Sequence, residues 1–233
     1  MPSRELTLLT EGSIELLGLI PRSSNQTFLA QVTCGEDEGC AVYKPEAGER
    51  PLSDFEPGLY KRERAAHLLS EALGWGFVPP TVIREDAPLG VGSLQWFIDC
   101  DFQQHYFTLF EDAPETHAEL ARIALFDYIA NNTDRKSGHV LRGDDGRIWG
   151  IDHGLCFSAA FKLRTVIWDF AGDPIPDALL EDIAPLAEAA PPDVAELLDD
   201  DEVASLQHRV QRLLHAGVLP GDRTGMRYPW PLV

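Results

Sequence analysis

FDYIANNTDRKSGHVLRGDDGRIWGIDHGLCF, residues 126–157, decides how this chain is read. It opens as the end of an amphipathic helix. In THAELARIALFDYIANN (116–132), Leu120, Ile123, Ala124, Phe126, Asp127 and Ile129 recur at helical spacing. The helix runs into Asn-Thr-Asp-Arg, with His139 five residues after Asp134. A hairpin turn, RGDDGR (142–147), then leads to Ile-Asp-His-Gly, where Asp152 follows an apolar run and stands just before a glycine. Two carboxylates on neighbouring loops can divide labour: one handles a hydroxyl proton and the other grips a metal ion.

Upstream, residues 7–20 (TLLTEGSIELLGLI) begin with an apolar cluster and alternate into a strand. PRSSNQ (21–26) is a turn of small polar residues, TFLAQVTC (27–34) a second strand, and CAVYKP (40–45) a third, stopped by Pro45. GLYKRERAAHLLSEALG (58–74) predicts a helix with Tyr60, Ala65, Leu68, Leu69 and Ala72 on its apolar face. FVPPTVIRE (77–85) and GSLQWFID (92–99) predict two more strands. Downstream, 161–174 reads as loop or short helix, and two acidic helices are expected over about 176–190 and 192–216, separated by Pro191 and Pro192. MRYPWPLV (226–233) predicts irregular packing.

Composition narrows the function classes. A chain of 233 residues with 44% hydrophobic content has enough apolar surface for a core, in one large domain or two small lobes around a cleft. A formal charge of −19 argues against a nucleic-acid partner and against docking on an anionic membrane, although Lys61, Arg62 and Arg64 form a local basic patch. No stretch approaches the ~18 apolar residues of a membrane-spanning helix. The start lacks the continuous apolar run of a secretory signal, so a cytoplasmic protein without stable membrane insertion is expected. Cys34, Cys40, Cys100 and Cys156 make no CxxC pair or zinc pattern, and free thiols are the default.

Lys44 ends the third predicted strand, and Glu63 follows nineteen residues on in the first predicted helix. A strand lysine held by a helix glutamate orients a cation at nucleotide phosphates. Either residue alone reads as a solvated surface position. The Ser23-Ser24-Asn25 turn could cradle phosphates through its backbone N–H groups and hydroxyls.

In order along the chain, VYKPEAGE (42–49), KRERAAHLLSEALG (61–74), GSLQWFI (92–98), FDYIANNTDRKSGHVL (126–141) and GIDHGLCF (150–157) resemble the phosphatidylinositol 3- and 4-kinase-like family. They are most similar to its type II 4-kinase branch and the small bacterial proteins grouped with it. The bacterial persistence-toxin protein kinases are more distant in resemblance. The resemblance implies an α+β, two-lobed minimal protein-kinase-like fold: an antiparallel sheet with one helix as N-lobe (1–100), and a mostly helical C-lobe with the catalytic loops (101–233). It implies ATP as cofactor, with Mg2+ or Mn2+. Lys44 would contact the phosphates and Glu63 would orient it. Gln95, Trp96, Phe97 and Ile98 would form the linker around the adenine. Asp134 would be the catalytic aspartate. Arg135 would support that loop or neutralise charge at the phosphoryl group. Asp152 would hold the metal.

Two positions depart from the family pattern. His139 stands where a metal-binding Asn is expected, and is open to two roles, metal ligand or cap of its loop. His153 follows Asp152 where an aromatic or Asn is more usual, which favours a hydrogen bond within the loop over acceptor handling. Asp127 is expected to pin the loop, and Asn131 and Asn132 to cap the helix end. Lys162, Arg164 and Thr165 fall where kinases carry an activation or acceptor-binding segment, with a solvated loop as the plainer reading. The expected activity is a metal-dependent transfer of the ATP γ-phosphate to a hydroxyl. A protein Ser/Thr, the chain's own included, or a soluble small molecule is favoured over a membrane lipid. A pseudokinase that regulates a partner and a transferase of AMP are the alternatives.

Overall fold

A computed structural model describes residues 3–21, 23–222 and 224–232. The chain folds as two lobes. The first carries a five-stranded antiparallel sheet of β1 (Ser13–Leu19), β2 (Phe28–Cys34), β3 (Asp37–Pro45), β4 (Thr81–Arg84) and β5 (Gly92–Trp96), in the spatial order β1-β2-β3-β5-β4. Alternation along β3 sets up the site. Ala41 and Tyr43 are fully buried in a core that includes Leu8, Leu9, Val32 and Leu94, while Val42 and Lys44 point the other way, into a cleft. Helix α2 (Leu59–Ala72) packs against β4 and β5 and places Glu63 behind that cleft.

The N-lobe corrects three expectations. The apolar cluster that precedes the strand in 7–20 belongs to a helix, α1 (Arg4–Glu11), and only 13–19 is strand, so this lobe holds two helices rather than one. Ser3 caps α1 by accepting the Leu6 N–H, and Leu8 and Leu9 bury one face against the sheet. The predicted strand 77–85 contracts to β4, because Pro79 and Pro80 have no N–H to offer a ladder. The expected basic patch is also dispersed. Arg62 pairs with Glu202 at 2.6 Å and donates to the Cys156 carbonyl, and Arg64 donates to the Thr81 carbonyl.

The second lobe is mostly helical. Its centre is α4 (His117–Ala130), buried along most of its last two turns, with α7 (Asp200–Ala216) packed across it. Beside it lies a small sheet of β6 (Cys100–His105), β7 (Val140–Gly143) and β8 (Ile148–Gly150), followed in sequence from β6 by α3 (Tyr106–Asp112). Strand β6 and helix α3 have no counterpart in the sequence-based expectation. The four middle residues of β6 are exposed, which erases the alternation that marks a strand. Downstream, α5 (Asp177–Ile183) and α6 (Pro192–Ala195) are short. The single helix expected over 192–216 is broken before α7, where Asp199 and Glu202 form a capping box. The four cysteines are free thiols.

Candidate active site

The two lobes enclose a cleft of about 420 Å³. Lys44 reaches its floor from β3 and is held from two sides. Its ammonium donates to Oε1 of Glu63 and, at 2.7 Å, to Oδ1 of Asp152. Burial pulls the Lys44 pKa down, but Asp152 and Glu63 together more than reverse this, so Lys44 stays charged. The second oxygen of Glu63 accepts the His153 N–H at 3.0 Å. One buried carboxylate therefore ties strand, helix and the Asp152 turn together. Gly154 makes this possible, because a Cβ there would come within 3.3 Å of Glu63 Oε1.

Asp152 adopts a left-handed backbone conformation, φ +60°, which aspartate tolerates better than most residues. Its carboxylate is half exposed to the cleft and faces His139 Nε2 at 3.3 Å. Enclosure by the cleft walls would raise its pKa, but Lys44 holds it well below the usual carboxylate range. The His139 pKa is pushed down to about 4, first by burial and then by Arg135, Lys136 and Lys44, against the pull of Asp152. His139 Nδ1 accepts the Lys136 N–H at 3.3 Å, which leaves the neutral ring's proton on Nε2, facing Asp152. Of the two roles open to His139, this geometry matches the loop cap and gives the ring a carboxylate as partner.

The Asp134 loop is built by the end of α4. Asn131 takes the left-handed C-cap position, φ +51°, and its amide donates to the carbonyls of Ser158 and Ala160. Asn132 donates to Asp127 and accepts the Asp134 N–H at 3.0 Å. Both asparagines thus serve the loop. The Asp134 carboxylate lines the cleft and pairs with Lys136 at 3.2 Å. Burial raises its pKa, Lys136 and Arg135 lower it, Asp152 raises it, and the net direction is upward.

Of the two roles expected of Arg135, loop support and charge neutralisation at the phosphoryl group, its position matches the first. Its side chain is fully buried and faces away from the cleft. It forks onto the equally buried Asp127 with contacts at 2.9 Å, donates to the Ile151 carbonyl at 2.6 Å and the His139 carbonyl at 3.2 Å, and meets His153 Nε2 at 2.8 Å. Five donors in a rigid fork clamp both loops from behind. His153 is buried with them, and burial followed by Arg135 holds its pKa well below the ordinary value.

The remaining residues expected at the nucleotide all border the cleft, whereas Lys162, Arg164 and Thr165 do not line it. Ser23, Ser24 and Asn25 lie at its mouth, and the Asn25 side chain accepts the Arg50 N–H at 3.0 Å. Arg22, in the same turn, lies outside the described residues. Gln95, Trp96, Phe97 and Ile98 line the rear, where the Gln95 amide donates to Thr81 and the Phe97 N–H to the Cys40 carbonyl. Gly39 leaves room for the Trp96 ring, since a Cβ there would sit 2.2 Å from it. Sequence reading missed the apolar walls, Ile20 and Val42 on one side and Leu141 and Ile151 on the other, and it missed Lys136. The strand alternation around Val42 was the available signal for the first of these.

A sheet lobe and a helical lobe closing on a lysine–glutamate pair and two aspartates define a kinase. A sequence model of the family described as phosphatidylinositol 3- and 4-kinase matches residues 60–204, well past the last motif quoted above, and the chain belongs to that family. Protein Rv2133c of Mycobacterium tuberculosis (strain ATCC 25618 / H37Rv) is 40% identical over 264 aligned residues, spanning 97% of this chain and 95% of that protein. Phosphatidylinositol 4-kinase gamma 4 of Oryza sativa subsp. japonica is 29% identical over 178 residues, spanning 63% of this chain and 30% of the rice protein. Among solved structures, the Golgi casein kinase with Mn/ADP bound shares the fold at a TM-score of 0.52 and 16% identity, covering 98% of this chain and 80% of that one. The chain is an ATP-binding phosphotransferase of the kinase class. No helix among the described residues is long and apolar enough to cross a membrane.

Proposed function

We propose that the protein transfers the γ-phosphate of ATP, with Mg2+ or Mn2+, to a hydroxyl of a protein Ser/Thr, its own included, or of a soluble small molecule, rather than to a membrane lipid. The observation that carries this reading is the convergence of Lys44, Glu63, Asp134 and Asp152, from three separate parts of the chain, on one cleft. In this reading Lys44, fixed by Glu63, neutralises the nucleotide phosphates, and residues 95–98 seat the adenine. The Ser23–Asn25 turn covers the phosphates. Asp134 aligns the acceptor hydroxyl and takes its proton, a role that suits a carboxylate whose pKa is raised. Arg135 acts at a distance, by holding both loops in register.

Among the described residues no group of three or more His, Cys, Asp or Glu side chains could hold a metal ion by itself. The donor set still fits a nucleotide-borne ion, because magnesium is commonly held by one or two carboxylates plus substrate phosphates. Asp152 is that carboxylate. His139 could join it only by moving its proton to Nδ1, which would break the bond from the Lys136 N–H. The ion's contribution, when bound, is neutralisation of phosphate charge. A net charge of −19 disfavours an anionic membrane as the acceptor surface.

The test is incubation with γ-labelled and, separately, α-labelled ATP, with magnesium or manganese, a generic protein acceptor and a soluble polyol. Label from γ-phosphate on the protein, the added acceptor or the polyol is expected. Label from α-phosphate would indicate AMP transfer instead. Nucleotide binding without transfer of either label would indicate a pseudokinase.

A further inference from the structure

We infer that residues 226–232 act as a strap that holds the segment 161–168 against the Asp134 loop, with Arg227 as its main positioning residue, and so sets where an acceptor meets Asp134. The inference rests on the kinase reading above and concerns the acceptor side of that site. None of the described residues that line the nucleotide cleft lies beyond Leu155. The segment 161–168 is therefore outside the space that the nucleotide fills. It is nonetheless bonded to the Asp134 loop. The Arg135 N–H donates to the Arg164 carbonyl at 3.0 Å, and the Arg135 carbonyl accepts the Val166 N–H at 3.1 Å. With the cleft filled, a hydroxyl reaches Asp134 along the loop's remaining border, and this segment forms part of it.

The segment has no regular structure of its own to keep that place. No helix or strand lies between Gly150 and Asp177 among the described residues. On one side it hangs from the end of α4 and the loop that follows. The Lys162 N–H donates to the Asn131 side chain at 2.9 Å, and the Arg164 N–H to the Asn132 carbonyl at 2.9 Å. On the other side its support is the strap. The Arg227 carbonyl accepts two donors at once, the Thr165 N–H at 3.2 Å and the Trp168 indole N–H at 3.1 Å. The Arg227 guanidinium lies over the Phe161 ring, 4.8 Å from its centroid. One residue thus grips the segment at both of its ends. Asp222 fixes Arg227 in turn, by accepting its N–H at 2.9 Å. Further on, the Leu232 carbonyl accepts the Ser137 N–H at 2.8 Å, so the strap also reaches the Asp134 loop directly.

The strap holds on with little apolar burial. Met226, Tyr228 and Trp230 are all exposed, Trp230 at 87%, and Pro229 between them is buried. Its grip is made by backbone hydrogen bonds and the Arg227 stack. Loss of contacts of this kind loosens a segment locally before it lowers global stability. Rate is far more sensitive, because a displacement of about 1 Å in a reacting group costs about 100-fold. The strap should therefore act on transfer to an acceptor and leave nucleotide binding alone.

Wild type, a chain ended at Gly225, Arg227→Ala and Arg227→Lys would be compared in ADP affinity, in γ-phosphate transfer and in amide hydrogen exchange over 161–168. Transfer would be read on the protein itself, on casein and on inositol. The shortened chain should keep its ADP affinity, transfer about 100-fold more slowly, and exchange the Thr165 amide about tenfold faster or more. Arg227→Ala should show the same pattern at about tenfold in transfer, with a raised KM for whichever added acceptor is labelled. Arg227→Lys, which keeps a cation over Phe161, should recover part of the loss. Wild-type transfer by the shortened chain overturns the inference. So does a fall in ADP affinity as large as the fall in transfer, which would make the strap a support of the whole fold. If the shortened chain does not fold, Arg227→Ala decides, and wild-type transfer with wild-type exchange over 161–168 overturns the inference. A wild-type protein that binds ADP but labels none of the three acceptors removes the kinase reading, and the inference with it.

Discussion

Asp134 and Lys136 face the cleft, while Arg135 between them faces a buried carboxylate. Asp152 and His153 divide in the same way on the neighbouring loop, one half exposed and the other fully buried. The front of the two loops is charged, solvated and open to a nucleotide. The back is a closed network of Asp127, Arg135 and His153 with backbone carbonyls. On the Asp134 loop an extended backbone turns alternate side chains to opposite sides, while on the neighbouring loop the left-handed turn at Asp152 parts its side chain from that of His153. In the proposed reading a front residue acts on rate, and a back residue acts on stability and on where the front residues stand.

Predictions that break or sharpen this division start with the front. Asp152→Ala should cost about 10²–10³-fold in kcat while the urea unfolding midpoint stays near wild type. A matching loss of stability would dissolve the distinction between the faces. On the back, Arg135→Met leaves Asp127 buried without its cationic partner, with only the Asn132 amide beside it, and should cost about 3–5 kcal/mol in urea unfolding. The double variant Asp127→Leu/Arg135→Met should recover part of it, since a buried ion pair is often replaceable by apolar side chains. Gly154→Ala sits where the faces meet. Its Cβ would press on Glu63 at 3.3 Å, and it should cost about 1 kcal/mol and raise KM for ATP by loosening Glu63 from Lys44. The smallest effect is in the pH profile. Protonated Asp134 cannot take the acceptor proton, so kcat falls as pH drops through its pKa. Because that pKa is raised, the midpoint should lie above the ~4 of an ordinary aspartate. An acid limb at or below that value would remove Asp134 as its source.

The front, Lys136 excepted, was legible in the sequence and the back only in part. Asp134, His139 and Asp152 fall within one short run, and Lys44 and Glu63 are marked by their places in a strand and a helix. Asp127 is legible as a pin of the loop, but the burial of Arg135 against it is not, because residue types do not say which side of a loop a side chain takes. Lys136 was overlooked because its side of the loop depends on backbone angles that residue types do not specify. Helix α1 was not legible because a short apolar run fits either period. Strand β6 carries no apolar alternation, since its middle residues are exposed.

The most direct test of the two-faced loop is single-turnover transfer of γ-phosphate by Asp134→Asn, measured beside its ATP affinity and its unfolding midpoint. The account predicts an intact fold, near-wild-type ATP affinity and transfer slowed about 10²–10⁴-fold. Transfer at the wild-type rate in this variant would contradict it.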